Sequence, residues 1–419
     1  MNILVRRARI IDSSSPFHLQ TADLLIENGV ITSIESSISK EAATIIDIPE
    51  LHLSPGWVDI FAQFDDPGFE FKETLETGTT AAAAGGYTDV LVVPNTAPVV
   101  HSKATVEYLV QKSRYLPVRV HPIGAITKNT EGKELAEMYD MHQSGAVAFS
   151  DGLCSVQSSG LLLKALQYLQ AIDKTIIQLP DDRAINPGGL MNEGLVSTRQ
   201  GLPGRPAIAE ELMIARDIEL VKYTGSRLHF TGISTAKSVE LIRKAKAEGL
   251  NVTCSVTPYH LYFSDEDLQD YDTNLKVNPP LRTPADRQAL QQAVVDGVID
   301  CIASHHLPQD IDNKVSEFEY AKYGMLGLQT AFAVVRTALP QLSAERLVEL
   351  FATNPRRIFD LQQGGLQTGA AAALTLFAPD SEWTFTNNRS RSANSPFLGK
   401  TLKGAPLGII NQDKLFLNQ

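Results

Sequence analysis

Apolar and polar positions follow two different rhythms along this chain. The first fifty residues hold short apolar runs broken by polar turns, NILVRRARII and then ADLLIENGVITSIE, where Asn28-Gly29 marks a tight hairpin turn. The last stretch returns to that rhythm, with ALTLFAP and EWTFTNN separated by Pro379-Asp380-Ser381. Between these ends lie eight continuous apolar segments, each suited to a buried parallel strand: GWVDIFAQF, TDVLVVPN, VRVHPIGA, GAVAFSDG, TIIQLPDD, RLHFTGIS, NVTCSVTP and DCIASHHLP. Helix-period stretches such as SSGLLLKALQYLQAID, AIAEELMIARDIELVKYTG and TAKSVELIRKAKAEG follow most of them. Alternating strand and helix in this number predicts an α/β fold, a (βα)8 TIM-type barrel over residues 54–359. The β-rich ends, 1–53 and 360–419, are expected to meet and build one small β-sandwich domain.

Polar residues gather at the C-terminal ends of the eight apolar segments, at Gln63, Asn95, Asp151, Gln178, His260 and His305. That is the face on which such barrels keep their active sites.

Composition narrows the function classes. A net charge of -11 argues against a nucleic-acid or anionic-membrane binder, since both need positive surface. Cys154, Cys254 and Cys301 are far apart, so neither a disulfide framework nor a local thiolate cage is expected and a reducing cytoplasm is the default compartment. Arginines interrupt the N-terminal apolar run, and no stretch of about 20 apolar residues offers a membrane span.

Several residues invite a chemical reading. His305-His306 ends the eighth segment, but neighbours on a strand face opposite ways, so only one of them is expected in the mouth. With His260 and Asp151 it suggests a replacement mononuclear metal site, weighed against ordinary packing. Cys154 and Cys301 lie near strand ends, and Cys301, mid-strand in DCIAS, reads as packed rather than reactive. Asp65-Asp66 and Asp181-Asp182 read as solvated turns or helix caps rather than acid–base pairs. The acidic stretch DIDNKVSEFEY reads as a surface loop.

Longer strings carry a more specific signal. PGFEFKETLETGTTAAAAGGYTDVLVVPNTAPV, MNEGLVSTRQGLPGRPAIAEELMIARDIEL, KVNPPLR, NPRRIFDL and SRSANSPFLGK, in this order, resemble the dihydroorotases, cyclic amidohydrolases of pyrimidine biosynthesis. The resemblance runs over nearly the whole chain and implies a barrel of the metal-dependent hydrolase (amidohydrolase) superfamily with a β-sandwich built from both termini. It also implies zinc, held by histidines and carboxylates at strand ends, which lowers the pKa of water to about 7 and polarises the substrate carbonyl.

Matched to the family's motifs, the positions that should hold that metal depart from them. Phe61 and Gln63 stand at the two histidines of the first strand, Gln178 at that of the fifth and Gly232 at that of the sixth. His305 stands at the catalytic aspartate of the eighth. Asp65 stands at the arginine that pairs with the substrate carboxylate, replacing attraction by repulsion. Asp151 remains as a possible ligand, and Asn95 and Asn278 as substrate contacts.

From these departures the expectation is a member without the metal centre, with no cofactor and a non-catalytic role. Aspartate transcarbamoylase is the candidate partner by family analogy, alongside self-association into a homo-oligomer. The alternative is an active dihydroorotase or other cyclic amidohydrolase with a remodelled mononuclear or metal-free site using His305, Asp151 and Asn95.

Overall fold

The eight apolar segments become eight parallel strands in the computed structural model, which describes residues 2–40, 42–362 and 364–418. They are β1 (Trp57–Ala62), β2 (Tyr87–Val92), β3 (Arg119–Gly124), β4 (Ala148–Phe149), β5 (Ile176–Gln178), β6 (Leu228–Phe230), β7 (Val252–Val256) and β8 (Cys301–Ile302). Neighbours pair in sequence order. The chain beyond β8 closes the ring, where Gln63 N donates to His306 O at 2.8 Å and Ala62 bridges His306 in parallel. Helices pack outside the barrel, among them Ser159–Gln170, Ile208–Thr224 and Ala236–Ala247, where the 3.6-residue period places them. Ser158 and Thr235 cap two of these, each accepting a backbone N–H from the first turn.

The barrel interior is mostly apolar, with Val58, Ile60, Leu91, Val93, Ile123 and Ile177 in one buried cluster. Burying such residues contributes roughly 1.5–3 kcal/mol each, offset by the entropy of ordering the chain.

The two ends of the chain meet in one eight-stranded sheet. Strand Ala373–Thr384 pairs with His52–Pro55, which pairs with Asn2–Ile10. The Asn28-Gly29 turn joins Thr21–Glu27 to Val30–Glu35, both turn residues having positive φ as the tight hairpin requires. The break expected at Pro379-Asp380-Ser381 is instead an irregularity inside one long strand, where the register against Thr401–Asn411 shifts between Ala378 and Glu382. A proline that cannot donate to a ladder is tolerated at such a bulge.

Arg356, in NPRRIFDL, is buried at the opposite end of the barrel from the mouth. Its guanidinium donates to Gly56 O at 2.8 Å, to Asp89 at 2.6 Å and to Gln362 O at 2.9 Å. Burial would raise Asp89, but Arg356, His121 and Arg119 around it hold it well below the usual carboxylate range. Among the described residues, no helix is long and apolar enough to cross a membrane.

Candidate active site

The site is built where the barrel strands end. Asp59 on β1 fixes the backbone leaving β8, accepting from Ser304 N at 2.6 Å and from the Ser304 hydroxyl at 2.9 Å. His305 follows with φ 45°, a left-handed conformation that breaks strand alternation. For that reason His305 and His306 both line the mouth, contrary to the expectation that only one of the pair enters it.

Their surroundings differ. The His305 ring stacks on Phe61 with centroids 4.6 Å apart, and its Nε2 lies 2.8 Å from Thr231 Oγ1. Burial, then nearby His260, lowers its pKa to about 3, so the imidazole is neutral. Gly232 makes room for it: a Cβ there would lie 2.6 Å from His305 Cε1, on a backbone with φ +66°. The His306 ring is spent, with Nδ1 accepting from Gly327 N at 3.3 Å and Nε2 facing Glu73 at 3.3 Å. Burial would raise Glu73, but bonds from His306, Ser390 and Thr77 outweigh it and lower the pKa.

Gln63 is held by its amide nitrogen, which donates to Asp65 Oδ1 at 3.0 Å and to Asn95 O at 2.6 Å. Its Oε1 and Asp65 Oδ2 are both buried without a hydrogen-bond partner. Burial raises Asp65 to about 6, tempered by the Gln63 bond and by Lys72. Asp65, Asp66 and Asp181 are buried and so not solvated turns, while Asp66 meets the helix-cap alternative by accepting from Leu75 N at 3.4 Å at the start of helix Leu75–Ala84. Asp66 is paired with Lys112 at 2.7 Å, and Asp181 with Arg205 at 3.1 Å.

The remaining singled-out residues do not converge on the mouth. Gln178 donates to Asp217 at 3.2 Å. Asp151 spends both oxygens on Thr127, on its N–H at 2.8 Å and its hydroxyl at 2.5 Å, and burial raises it to about 6. The Asn95 amide bonds Asp151 O and Leu153 N at 3.1 and 2.9 Å, so it braces a loop instead of facing a substrate. His260 has both ring nitrogens engaged, by Thr257 and by Pro280 O. Cys301 is buried and its thiol is pushed well up by that burial. Asn278 does line the cavity, with Phe61, Gln63, Tyr259 and the two histidines.

Other groups near the mouth were hidden in framework strings. Arg282, the last residue of KVNPPLR, is buried and donates to Ser234 Oγ, Asn192 Oδ1 and Arg205 O at 3.1, 3.0 and 2.8 Å. Glu210 beside it caps Ser234 and Thr235, its Oε1 accepting from their N–H groups at 2.8 and 3.2 Å. Ser390 and Arg391, from SRSANSPFLGK, bond Glu73, and Asn394 donates to Leu307 O at 3.0 Å. Lys314, from the loop expected to be ordinary surface, is buried and donates to Lys322 O and Gly324 O at 2.9 and 3.0 Å. For Arg282 and Arg391 the signal was a basic residue inside a Pro- or Ser-rich string.

A file of polar side chains also runs through the apolar interior below the mouth. Thr253 Oγ1 lies 2.8 Å from His229 Nδ1, His229 Nε2 lies 3.0 Å from Ser255 Oγ, and Ser255 donates to Thr231 Oγ1 at 3.0 Å. Thr231 then meets His305 Nε2.

Comparison with solved structures defines the class first. The L-hydantoinase (dihydropyrimidinase) of Arthrobacter aurescens superposes with a TM-score of 0.87 at 26% identity, over 99% of this chain and 96% of that one. A D-hydantoinase from Thermus sp., at 19% identity and a TM-score of 0.82, shares the fold. The architecture is thus that of the amidohydrolase TIM barrels with an added sheet domain.

Sequence then sets the family. The dihydro-orotase-like family model matches residues 51–238. A dihydroorotase of Syntrophus aciditrophicus is 39% identical over 422 residues, 99% of each chain. One of Pelotomaculum thermopropionicum is 40% identical over 98% of this chain and 97% of that one. This chain belongs to the dihydroorotase-like family.

Two expectations are overturned by these relatives. Near-full-length similarity to proteins named dihydroorotase supports a ring-opening enzyme over a non-catalytic partner or scaffold. The expectation of no cofactor falls with it, because family membership implies zinc.

The residues at the family's ligand positions nevertheless do not fit that metal. Phe61 and Gly232 offer no donor atom, Gln178 Oε1 accepts from Val156 N at 3.4 Å and Nε2 of His305 is taken by Thr231, which leaves at these positions the neutral amide oxygen of Gln63 and Nδ1 of His305, too few to hold the ion. Among the described residues, no three His, Cys, Asp or Glu side chains are grouped to hold a metal ion. No chemical step is therefore derived through zinc.

Proposed function

We propose that this protein is a cyclic amidohydrolase of the dihydroorotase family, working at a remodelled barrel mouth. The observation that carries the reading is the similarity of 39–40% along almost the whole chain to relatives named dihydroorotase. The geometry supports it in a narrower way. The cavity lies at the C-terminal ends of the strands, the face on which such barrels keep their active sites.

Of Asp65, Glu73 and Asp151, only Asp65 keeps an oxygen without a partner. Burial brings that carboxylate to about 6, so it can hold or release a proton near neutral pH, one hydrogen bond behind the cavity wall through Gln63. Gln63 and Asn95 O hold that carboxylate's neighbourhood in place.

The test is ring opening and ring closure by the purified full chain, with dihydroorotate and other cyclic amides, followed by chromatography with and without added zinc. Turnover abolished in Asp65→Asn is the expected result. Absence of turnover with every ring, in both directions and under both metal conditions, overturns the reading.

A further inference from the structure

The polar file below the mouth runs without a break from one end of the barrel to the other. Thr253, partly buried near the start of β7, lines a surface cavity at the N-terminal ends of β5, β6 and β7, together with Lys246, Asn251 and Asp300. His229, Ser255 and Thr231 are fully buried. His305, at the far end, lines the mouth. The four contacts that join these side chains are 2.8, 3.0, 3.0 and 2.8 Å long, each within hydrogen-bond reach.

The file has one direction. Ser255 donates its hydroxyl proton to Thr231. It then accepts from Nε2–H of His229, which leaves Nδ1 of His229 to accept from Thr253. Among the described residues, Thr231 has Nε2 of His305 alone left to donate to. Neutral His305 thus carries its proton on Nδ1. Every proton in the file points from the bottom cavity towards the mouth.

The rings are suited to passing a proton on. Phe359 meets His229 edge-on at 5.5 Å and Phe61 stacks on His305 at 4.6 Å, so both imidazoles are held against turning. Burial lowers each to about 3, which keeps both neutral. A neutral imidazole between two partners takes a proton at one nitrogen as it gives one up at the other. The mouth has room for about one water, too little for a chain of waters to bring a proton in from above.

We propose that Thr253, His229, Ser255 and Thr231 form a proton path through the barrel, from solvent at its N-terminal end to His305 in the mouth. When Nδ1 of His305 gives its proton to an acceptor in the mouth, Nε2 takes the hydroxyl proton of Thr231. Thr231 takes that of Ser255, Ser255 takes Nε2–H of His229, and Nδ1 of His229 takes the hydroxyl proton of Thr253. A hydronium ion in the bottom cavity restores Thr253 and leaves as water. One proton enters and one leaves, each ring swaps its tautomer, and no group in the file changes charge. Ring opening consumes such a proton at the leaving nitrogen. That use rests on the cyclic-amide reading, and the path does not.

Because the file reverses as a unit, nitrogen-15 relaxation dispersion on the histidine rings of the full chain reads it directly. His305 should be protonated mainly at Nδ1 and His229 mainly at Nε2, and both should exchange with the opposite tautomer at one common rate. Thr253→Val, nearly isosteric, should abolish that exchange at His305, four hydrogen bonds away, and Thr253→Ser should restore it. A hydroxyl that merely satisfied His229 would leave His305 unmoved. The opposite tautomers, absence of exchange in the wild type, unequal rates at the two rings, or exchange at His305 untouched by Thr253→Val each overturn the inference. Common exchange in a chain that opens no ring leaves the path standing and removes the hydrolase reading. Ring turnover with independent exchange does the reverse.

Discussion

Replacing Gly232 by alanine tests the packing of the mouth at its tightest point. The new Cβ would meet His305 Cε1 at 2.6 Å, well inside van der Waals contact, on a backbone with φ +66°. The left-handed conformation alone costs an alanine about 1–2 kcal/mol. The His305 ring has no easy retreat, since Phe61 is stacked on it and Thr231 holds its Nε2. Displacing it adds about 1–3 kcal/mol of overpacking. Gly232→Ala should therefore lose about 2–5 kcal/mol in urea unfolding.

In a His305→Ala background the clash is gone and only the backbone term remains, so the same substitution should cost about 1–2 kcal/mol. A double-mutant cycle on the four proteins measures the difference as a coupling of about 1–3 kcal/mol. If the two costs add within about 0.5 kcal/mol, the glycine is not there for the ring and the reasoning fails.

Burial holds Asp151 at about 6, so its folded form keeps a proton that the unfolded chain releases near 4. Its contribution is present below about pH 4 and lost as the pH rises through 6, a fall of up to about 3 kcal/mol. Asp151→Asn should flatten the stability profile across that window, and an unchanged slope would count against the buried carboxyl as its source. Arg356→Met strips three strong bonds from a fully buried guanidinium and should cost about 3–5 kcal/mol by urea unfolding. Its exposed neighbour, in Arg357→Met, should stay within about 0.5 kcal/mol, and equal losses at both sites would refute the clamp.

The barrel was legible because buried parallel strands write themselves as apolar runs, and amphipathic helices as a 3.6-residue period. Both signals are local. The terminal sheet was legible for the same reason, down to the Asn28-Gly29 turn. What failed were inferences about side-chain partners, which lie far off in sequence. His305 finds Thr231 74 residues away, and Glu73 finds Ser390 317 residues away. The His305-His306 pair broke the rule of opposite faces because one residue took φ 45°. Asp65-Asp66 looked like a solvated turn, since nothing nearby in sequence reveals Lys112, 46 residues on from Asp66. The departures from the family's motifs led to the expectation of a non-catalytic protein, and the relatives named dihydroorotase support an enzyme instead.

The sheet shared by both termini imposes an order on biosynthesis. Strand His52–Pro55 leaves the ribosome early, but its partner, Ala373–Thr384, is made only after the whole barrel. Until Leu374 and Leu376 reach Pro55 and Leu53, the N-terminal strands carry an open edge able to pair with another chain. A product cut short anywhere in the barrel keeps that edge for good. Such fragments should be the ones that aggregate or are degraded, so strand Ala373–Thr384 acts as the seal on a nascent chain.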